Sequence, residues 1–293
     1  AACAEFPIPV SLELGGVDAM IVRSDADLEF ATSAAVWGAT FNGGQACCSI
    51  ERLIVHRSLH DRFVARVADK MARVDRSREL CPAIDERQLE VWRRHLQKAT
   101  DDDLTVVTGG EFVGDRKLTP TLITGDGAQS SAVWCEETFG PVVVAVPFDT
   151  DAEAVRLHNQ TRYGLTASVF SGDPVAAQQL ASQLRTGVVS INDIAATCYS
   201  SPELPWGGVG ESGFGRTHGT DGLLDATWAQ VIESPRVPLN RKRPWWYPYG
   251  PDLEKAMSAL AVALASDGAT SRASRLAKAG AGVLPLLSRN PRR

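Results

Sequence analysis

Two adjacent cysteines, Cys47 and Cys48, end a glycine-rich turn in the segment FNGGQACCS. A cysteine thiolate is a strong nucleophile, and a thiol becomes one where its pKa is lowered or a base lies close. The Gly43-Gly44 pair lets the backbone approach a substrate, and the amide N–H of a cysteine just past such a turn can donate to an oxyanion. This stretch alone leaves two interpretations: a nucleophile loop, or two small buried hydrophobic side chains.

A carboxylate is the second chemical group of interest. Glu13 lies in the apolar stretch SLELGG, shortly before two glycines. Burying a glutamate in such a strand is costly unless the side chain is paired or has a function. Burial also raises its pKa toward neutrality, which suits a general base. The stretch therefore predicts either a general base or a salt-bridged structural residue.

Two further segments carry residues with chemical potential. EETFGPV places Glu137 before Phe139; a carboxylate can hold a ribose diol by hydrogen bonds, and a phenyl ring can pack on a planar ring. The same residues could equally form an ordinary turn into the following strand. PWGGVGESGFGRTHG, residues 205–219, contains six glycines. This run does not follow a strand and open a helix, so it is not read as a dinucleotide phosphate loop.

The elements that must position these groups alternate between strands and helices. ERLIVH and GLTASVFSG have the length and composition of strands, whereas SLHDRFVARVADKMARV carries apolar residues at helical spacing. Strands that alternate with helices of about ten or more residues predict crossover units on a largely parallel sheet. The run VVVAV is apolar on both faces, as expected for a strand covered by helices on both sides. We therefore predict an α/β fold with a largely parallel sheet flanked by helices.

Three helix details are also predicted. Ser24 or Asp25 is expected to cap the helix over SDADLEFATSAAVWGAT, and Pro174 lies in the first turn of a later helix. Near the C-terminus, DLEKAMSALAVALAS is predicted to be helical, with one apolar stripe formed by Leu253, Met257, Leu260 and Leu264.

Composition excludes several classes of protein. The 293 residues are 44% hydrophobic and 22% charged, as in soluble globular proteins. No apolar run approaches the roughly 18–20 residues that span a bilayer, and no secretory signal opens the chain. The six cysteines form no CxxC pair and the histidines are scattered, so no metal site is predicted. This cysteine usage favours a reduced, cytoplasmic setting.

Four segments in this order, LELGG, FNGGQAC, EETFGPV and PWGGVGESGFGR, resemble the characteristic segments of the aldehyde dehydrogenase superfamily. Cys47 follows Glu13 by 34 residues, which is the interval between the general base and the nucleophile in that family. The resemblance extends from the first residues to about Ile232. It implies an aldehyde dehydrogenase-like catalytic domain.

The resemblance implies roles for the catalytic residues. Cys47 matches the nucleophile, and Cys48 matches a neighbour that varies within the family. Glu13 matches the base that activates the hydrolytic water, and Trp206 falls where the family often places an aromatic side chain at the substrate tunnel. The implied reaction converts an aldehyde to a carboxylic acid through a thiohemiacetal and a thioester on the cysteine.

The resemblance also implies a cofactor, NAD or NADP. Glu137 and Phe139 match the residues that hold the nicotinamide ribose and pack on the nicotinamide ring. Leu14 and Gly15 are predicted to contribute to the same site. Val17 departs from the family, in which many members have lysine after LELGG. The earlier half of the family, with its phosphate turn, adenosine-binding lysine and oxyanion asparagine, has no counterpart in this sequence, so the chain is expected to be the later part of a longer protein.

Four regions are predicted on this basis. Residues 1–15 correspond to the end of the dinucleotide-binding domain and 16–211 to the catalytic domain. Residues 212–235 form a returning segment with an oligomerisation strand, which implies a homo-oligomer in the intact protein. Residues 236–293 form a basic extension, with eleven Lys/Arg against three Asp/Glu. This extension is predicted to be a solvated tail, a gate or oligomer contact, or an anionic membrane-surface contact through RKRPWW; nucleic-acid binding is not predicted.

Three functions remain open from the sequence. The first is an NAD(P)-dependent aldehyde dehydrogenase acting on succinate semialdehyde or on a longer aliphatic or aromatic aldehyde. The second is a catalytically silent fragment or scaffold. The third is a cofactor-independent thiol esterase, since Cys47 and Glu13 suffice in principle for acyl transfer.

Overall fold

The computed structural model of the protein describes residues 2–5, 8–234, 247, 253–265 and 274–278. The chain divides into two compact units, Ala1–Trp228 and Ala229–Arg293. The strands are β1 (Leu12–Glu13), β2 (Asp18–Val22), β3 (Ile50–His56), β4 (Thr105–Thr108), β5 (Phe112–Val113), β6 (Lys117–Leu118), β7 (Thr121–Thr124), β8 (Val142–Phe148), β9 (Thr166–Phe170), β10 (Val188–Ile191) and β11 (Gly213–Phe214). The α-helices are α1 (Leu28–Thr40), α2 (Arg57–Ala72), α3 (Glu86–Asp101), α4 (Ala132–Cys135), α5 (Asp151–Asn159), α6 (Pro174–Ala181), α7 (Ala195–Tyr199), α8 (Gly219–Asp225) and α9 (Leu253–Ala265).

Seven strands form one central sheet in the order β10-β9-β2-β3-β8-β7-β4. Every neighbouring pair is parallel except β4 and β7, which are antiparallel at one edge. The predicted α/β fold with a largely parallel sheet is confirmed. Helices between the strands provide the crossovers that parallel pairing requires.

The central strands β2, β3, β8 and β9 are buried on both faces, as expected for strands covered by helices on both sides. Alternate residues of each central strand enter two separate cores. One core is covered by α3 to α6 and includes Ala19, Ile21, Ile54, Val142, Val144, Leu89, Trp92, Trp134, Leu157 and Leu180. The other is covered by α1 and α2 and includes Met20, Val22, Leu53, Val55, Val143, Ala145, Ala31, Ala35, Phe63, Val67 and Met71.

The cap of α1 differs from the prediction. Asp27, not Ser24 or Asp25, accepts hydrogen bonds from the first backbone N–H groups of this helix. Asp25 is occupied elsewhere, because its carboxylate accepts from Ser171 Oγ and from the backbone N–H of Asp173. The start of α6 is as predicted, with Pro174 as its first residue.

The segments of chemical interest meet at one edge of the sheet. Gly15 and Gly16 precede β2, the cysteine pair precedes β3, and Glu137 and Phe139 precede β8. These strands are parallel neighbours, so their amino ends lie side by side. The fold therefore gathers three separated sequence motifs at the amino edge of the sheet.

A two-stranded ribbon closes one side of this edge. Strand β1 pairs antiparallel with β11, with Glu13 opposite Gly213. Leu14 continues the pairing by donating its N–H to the Ser212 carbonyl at 3.0 Å. The ribbon connects the glycine-rich 205–219 segment to the Glu13 segment.

The subunit-pairing strand is predicted in DATWAQVIESP, and its described residues, 225–234, belong to no assigned strand. The side chain of Trp228 is 80% exposed. Val231 and Ile232 are exposed as well. The pairing of subunits through this segment stays a prediction.

The second unit contains the helix that the sequence predicts, but its buried face differs. Ala256 and Ala263 are the buried residues of α9, whereas Met257 and Leu264 of the predicted apolar stripe are exposed. Leu253 and Leu260 of the stripe are half-buried, so the prediction holds for two of its four residues and is wrong for Met257 and Leu264. The segment RKRPWW lies outside the described residues. Within the ranges that the structure describes, no helix is long and apolar enough to cross a membrane.

Candidate active site

The turn that leads to the cysteine pair begins with three consecutive residues of left-handed backbone conformation. Asn42, Gly43 and Gly44 have φ angles of +51°, +66° and +71°. Asparagine and glycine tolerate this conformation better than other residues. A Cβ atom at Gly44 would lie 2.1 Å from the carbonyl oxygen of Gly140. The glycine therefore allows this turn to lie directly against the loop that carries Glu137 and Phe139.

Cys47 and Cys48 occupy the centre of a tight turn. The backbone N–H of Ser49 donates to the carbonyl of Ala46 at 2.9 Å and closes the turn. The Ser49 hydroxyl donates to the carbonyl of Gly38 at 3.0 Å and fastens the turn to α1. Both thiols are half-buried at the beginning of β3.

Gln45 holds this turn to a second loop. Its side-chain oxygen accepts from the N–H of Ile84 at 2.8 Å, and its side-chain nitrogen donates to the carbonyl of Pro82 at 2.9 Å. The side chain of Asn42 donates to the backbone carbonyl of Gln45 at 2.9 Å. These contacts agree with a structural role for both amides.

Cys48 contacts the candidate nucleophile directly. A hydrogen bond from the Cys48 thiol lowers the pKa of Cys47, whereas burial and the negative charges of Glu13 and Glu137 act in the opposite direction. The same contact, together with burial, raises the pKa of the Cys48 thiol. The pair therefore favours one thiolate, on Cys47, with Cys48 as its donor. Sequence reasoning assigned Cys48 no such role.

Replacing Cys48 with alanine is expected to raise the pKa of Cys47, because the donor to the Cys47 sulfur is lost. The pH midpoint for alkylation of Cys47 by iodoacetamide should therefore move upward. Alkylation rates of the Cys47 peptide, followed by mass spectrometry across neutral and alkaline pH, measure this midpoint. Cys198→Ala is the matched control, since only burial shifts the pKa of that thiol. An unchanged or lower midpoint in Cys48→Ala would contradict the assignment.

Glu13 differs from its prediction in burial. The side chain is exposed. The β1–β11 ribbon has only two residues per strand and pairs with Glu13 through the backbone, so it does not cover this side chain. The expected burial of Glu13 in an apolar strand was therefore wrong. One carboxylate oxygen, Oε2, accepts a hydrogen bond from the indole N–H of Trp206 at 2.8 Å.

Trp206 links this carboxylate to the thiols. Its side chain is only 1% exposed and forms an apolar cluster with Leu165 and Val188. Cys47 and Cys48 pack against the same cluster. The indole ring thus belongs to the apolar cluster against which the two thiols pack, while its N–H donates to Glu13. At this exposure the indole presents almost no surface to a substrate, and the predicted contact of Trp206 with substrate stays a prediction.

The loop before β8 brings a second carboxylate to the site. Glu137 Oε1 accepts from the backbone N–H of Gly16 at 2.9 Å. A Cβ atom at Gly15 would lie 2.1 Å from Glu137 Oε2, so the glycine provides the space for this carboxylate. Burial raises the pKa of Glu137, and the Gly16 N–H opposes the shift. Leu14 and Gly15 were both predicted to contribute to the cofactor site. The side chain of Leu14 is exposed, and Gly15 is the one that lies against the Glu137 carboxylate.

Phe139 has a backbone conformation that is uncommon for its residue type. Its φ angle is +48°, in the left-handed region that phenylalanine rarely adopts. Its carbonyl oxygen accepts from the indole N–H of Trp92 at 3.1 Å. The loop is therefore held in a specific shape by contacts from α3.

A buried glutamate that sequence reasoning missed lies beneath this loop. Glu51, in β3, is 2% exposed, and its carboxylate accepts from the backbone N–H groups of Thr138 and Phe139 at 2.8 and 2.7 Å. Burial raises its pKa well above the usual range, and these two hydrogen bonds oppose the shift. A charged residue inside the apolar stretch ERLIVH was the available signal.

Two buried ionisable residues, Asp18 and Arg52, lie behind the cysteine turn. Asp18 accepts hydrogen bonds from the backbone N–H and the hydroxyl of Thr166, and burial raises its pKa to about 8. Arg52 donates to the carbonyls of Val17, Leu157 and His158. Burial lowers the pKa of Arg52 to about 10. These residues connect β2, β3 and β9 beneath the site.

In the part of the chain that the structure describes, no cluster of three or more His, Cys, Asp or Glu side chains is placed to hold a metal ion.

Fold and site together define a class of α/β protein that carries a low-pKa thiol and two carboxylates at the amino edge of a parallel sheet. Residues 1–232 match the aldehyde dehydrogenase family. The chain belongs to this family.

Relatives and solved structures support the same assignment. The chain is 37% identical over 252 residues to 4,4'-diapolycopene aldehyde oxidase of Methylomonas sp, covering 84% of this chain and 46% of the relative. It is 36% identical over 244 residues to a protein of Mycolicibacterium smegmatis provisionally named succinate-semialdehyde dehydrogenase (NADP(+)), covering 80% of this chain and 47% of that protein. The structure of betaine aldehyde dehydrogenase from Staphylococcus aureus in complex with NAD+ matches with a TM-score of 0.69 and 33% identity, over 73% of this chain and 44% of that one. The chain spans about half the length of the curated relatives it matches.

Proposed function

We propose that the protein oxidises an aldehyde to a carboxylic acid with NAD+ or NADP+, with Cys47 as the nucleophile and Glu13 as the base. The observation that carries this proposal is the convergence of three groups on one edge of the sheet. The Cys47 thiol has a lowered pKa, Trp206 packs beside it and holds Glu13, and Glu137 lies against Gly15 and Gly16. The family membership supports the same reaction class.

The two carbon–sulfur steps belong to this chain. The Cys47 thiolate adds to the aldehyde carbonyl carbon, which forms a C–S bond and a thiohemiacetal. NAD+ or NADP+, when bound by the Glu137 and Phe139 loop, would accept the hydride from this carbon, and loss of the hydroxyl proton would leave the thioester on Cys47. Glu13 then takes a proton from a water molecule as that water attacks the thioester. The C–S bond breaks, the carboxylic acid leaves, and Cys47 returns as a thiolate.

The loop before β8 fits the nicotinamide end of such a cofactor. Glu137 is half-buried, and its Oε2 lies over a glycine that provides no side chain. Ribose hydroxyl groups are donors that suit a carboxylate in this position. Phe139, held by Glu51 and Trp92, is proposed to pack on the nicotinamide ring. The names of relatives and neighbours include both NADP(+) and NAD+.

The assay of reduced-nicotinamide absorbance tests the proposal. The full-length protein is mixed with NAD+ or NADP+ and either butanal or succinate semialdehyde, which differ by one terminal carboxylate. We expect the absorbance to rise with at least one combination of cofactor and aldehyde, and this rise should require Cys47. Hydrolysis of an activated ester without any cofactor reduction would favour the thiol esterase instead. Absence of both activities would favour a silent scaffold.

The Trp206→Phe substitution tests the link to Glu13. Phenylalanine retains an apolar ring beside Leu165 and Val188 but loses the N–H that donates to the carboxylate. Loss of a hydrogen bond to a charged group should slow thioester hydrolysis by about tenfold, while acylation of Cys47 changes less. The burst and the steady-state phases of ester hydrolysis measure the two steps. Tyr199→Phe is the matched control, because that ring packs against Trp206 without a bond to Glu13; equal rates in both variants would contradict the link.

A further inference from the structure

Glu51 lies where the nucleophile strand meets the loop of Glu137 and Phe139. It follows Cys47 by four residues and is the second residue of β3. Its two carboxylate oxygens accept from consecutive backbone N–H groups, those of Thr138 at 2.8 Å and Phe139 at 2.7 Å. A single rigid side chain thus joins the thiol-bearing segment to the loop before β8.

The same two loop residues are held from the opposite side by α3. Gln88 donates its side-chain N–H to the Thr138 carbonyl at 2.8 Å, and Trp92 donates to the Phe139 carbonyl at 3.1 Å. Both N–H groups and both carbonyl groups of the two residues are therefore bound by side chains. A backbone conformation that is unfavourable for Phe139 is maintained by this set of contacts.

Glutamate has a property here that its amide analogue lacks. A carboxylate accepts at both oxygens, whereas glutamine has one oxygen acceptor and one NH2 donor. In a Glu51→Gln variant, either the Thr138 N–H or the Phe139 N–H would face an NH2 group. A buried N–H without an acceptor is costly, so the loop should shift or open.

We infer that Glu51 is a positioning residue that fixes Glu137 and Phe139 relative to Cys47. Its role rests on the proposed function, in which that loop holds the nicotinamide end of the cofactor. Glu51 touches neither substrate nor cofactor and acts through the backbone of residues 138–139. Loss of Glu51 should therefore affect one reaction more than the other. Hydride transfer requires the loop of residues 137–139 to be correctly placed relative to the Cys47 thiol, whereas acyl transfer requires only Cys47 and Glu13.

The experiment compares two activities in the full-length Glu51→Gln variant. Displacement of a positioning group by about 1 Å can cost about 100-fold in rate. We expect aldehyde oxidation to lose about 100-fold in kcat/KM, with a higher KM for NAD(P)+, while hydrolysis of an activated ester stays within about twofold of the parent. Asp25→Asn is the matched control, because that carboxylate also accepts a backbone N–H, from Asp173 at 2.8 Å, but lies outside the site. A parallel fall of both activities in Glu51→Gln would overturn the inference and leave a purely structural role.

A second measurement does not depend on the proposed reaction. Hydrogen–deuterium exchange of the backbone amides in residues 136–141 should be at least about tenfold faster in Glu51→Gln than in the parent. Glu51→Asp, which retains the charge on a shorter side chain, should give an intermediate rate and serves if the glutamine variant does not fold. If the parent protein reduces neither cofactor, the proposed function fails. In that case the exchange rates alone test whether Glu51 positions the loop. Unchanged exchange at 136–141 would overturn the inference in either case.

Discussion

The Cys47→Ala variant is expected to lose aldehyde oxidation and ester hydrolysis together. In the proposed mechanism both reactions begin with attack by the Cys47 sulfur, and the neighbouring thiol has a raised pKa, so it cannot replace the lost thiolate at neutral pH. Removing a nucleophile from a covalent mechanism should lower each rate by at least about 10,000-fold. Reduced-nicotinamide absorbance and the release of the leaving group from an activated ester measure the two reactions.

A third half-buried thiol packed against this cluster provides the control. Cys198 packs against the same apolar residues as Cys47, but it lies in α7 and not in the turn before β3. Cys198→Ala should therefore retain both activities within a few-fold. Residual ester hydrolysis in Cys47→Ala at the level of the Cys198→Ala variant would mean that another group is the nucleophile.

Local patterns predicted most of the sheet and its helices. The runs that became β3 and β8 are short and buried along most of their length, and α2 buries Phe63, Val67 and Met71 as its spacing predicts. These elements are specified by residues that are close in sequence. Hydrophobic burial on two faces then leaves few alternatives to a covered parallel sheet.

The predictions that failed depended on contacts between distant residues. Asp25 had the correct residue type for a helix cap, yet Ser171 and Asp173 bind its carboxylate. Glu13 was expected to be buried because its neighbours are apolar, but its strand pairs only with β11 and leaves the side chain exposed. Neither partner could be identified from nearby sequence.

The site was partly predictable for a similar reason. The motifs that contain Cys47, Glu13 and Glu137 are visible in the sequence, and the fold places them at one edge of the sheet. Glu51 was detectable as a charge within an apolar strand, but its partners lie 87 and 88 residues later. The contact between Cys48 and Cys47 depends on the geometry of a single turn, which residue type alone does not specify.

Replacing Glu13 with glutamine is expected to separate the two halves of catalysis. Glutamine has nearly the same shape, and its carbonyl oxygen can still accept from the indole N–H of Trp206, which donates to Glu13 at 2.8 Å. The amide cannot take a proton from water, so hydrolysis of the acyl–Cys47 thioester should fall by about 100-fold to 10,000-fold. Acylation itself needs no base at this position. Rapid mixing with an activated ester should therefore give a burst of one leaving group per active site, followed by very slow turnover.

The amplitude of the burst is the decisive quantity, because Glu13 also acts on the thiol through its charge. Its negative charge raises the pKa of Cys47, so the neutral glutamine should leave acylation as fast as in the parent or slightly faster. Trp206→Phe retains the base and loses only its donor, and its turnover should lie between the parent and Glu13→Gln. A full-rate steady state in Glu13→Gln would remove Glu13 from the role of base. A lost burst would instead assign Glu13 to activation of the thiol. The order of the turnover rates of the parent, Trp206→Phe and Glu13→Gln in one experiment distinguishes these mechanisms.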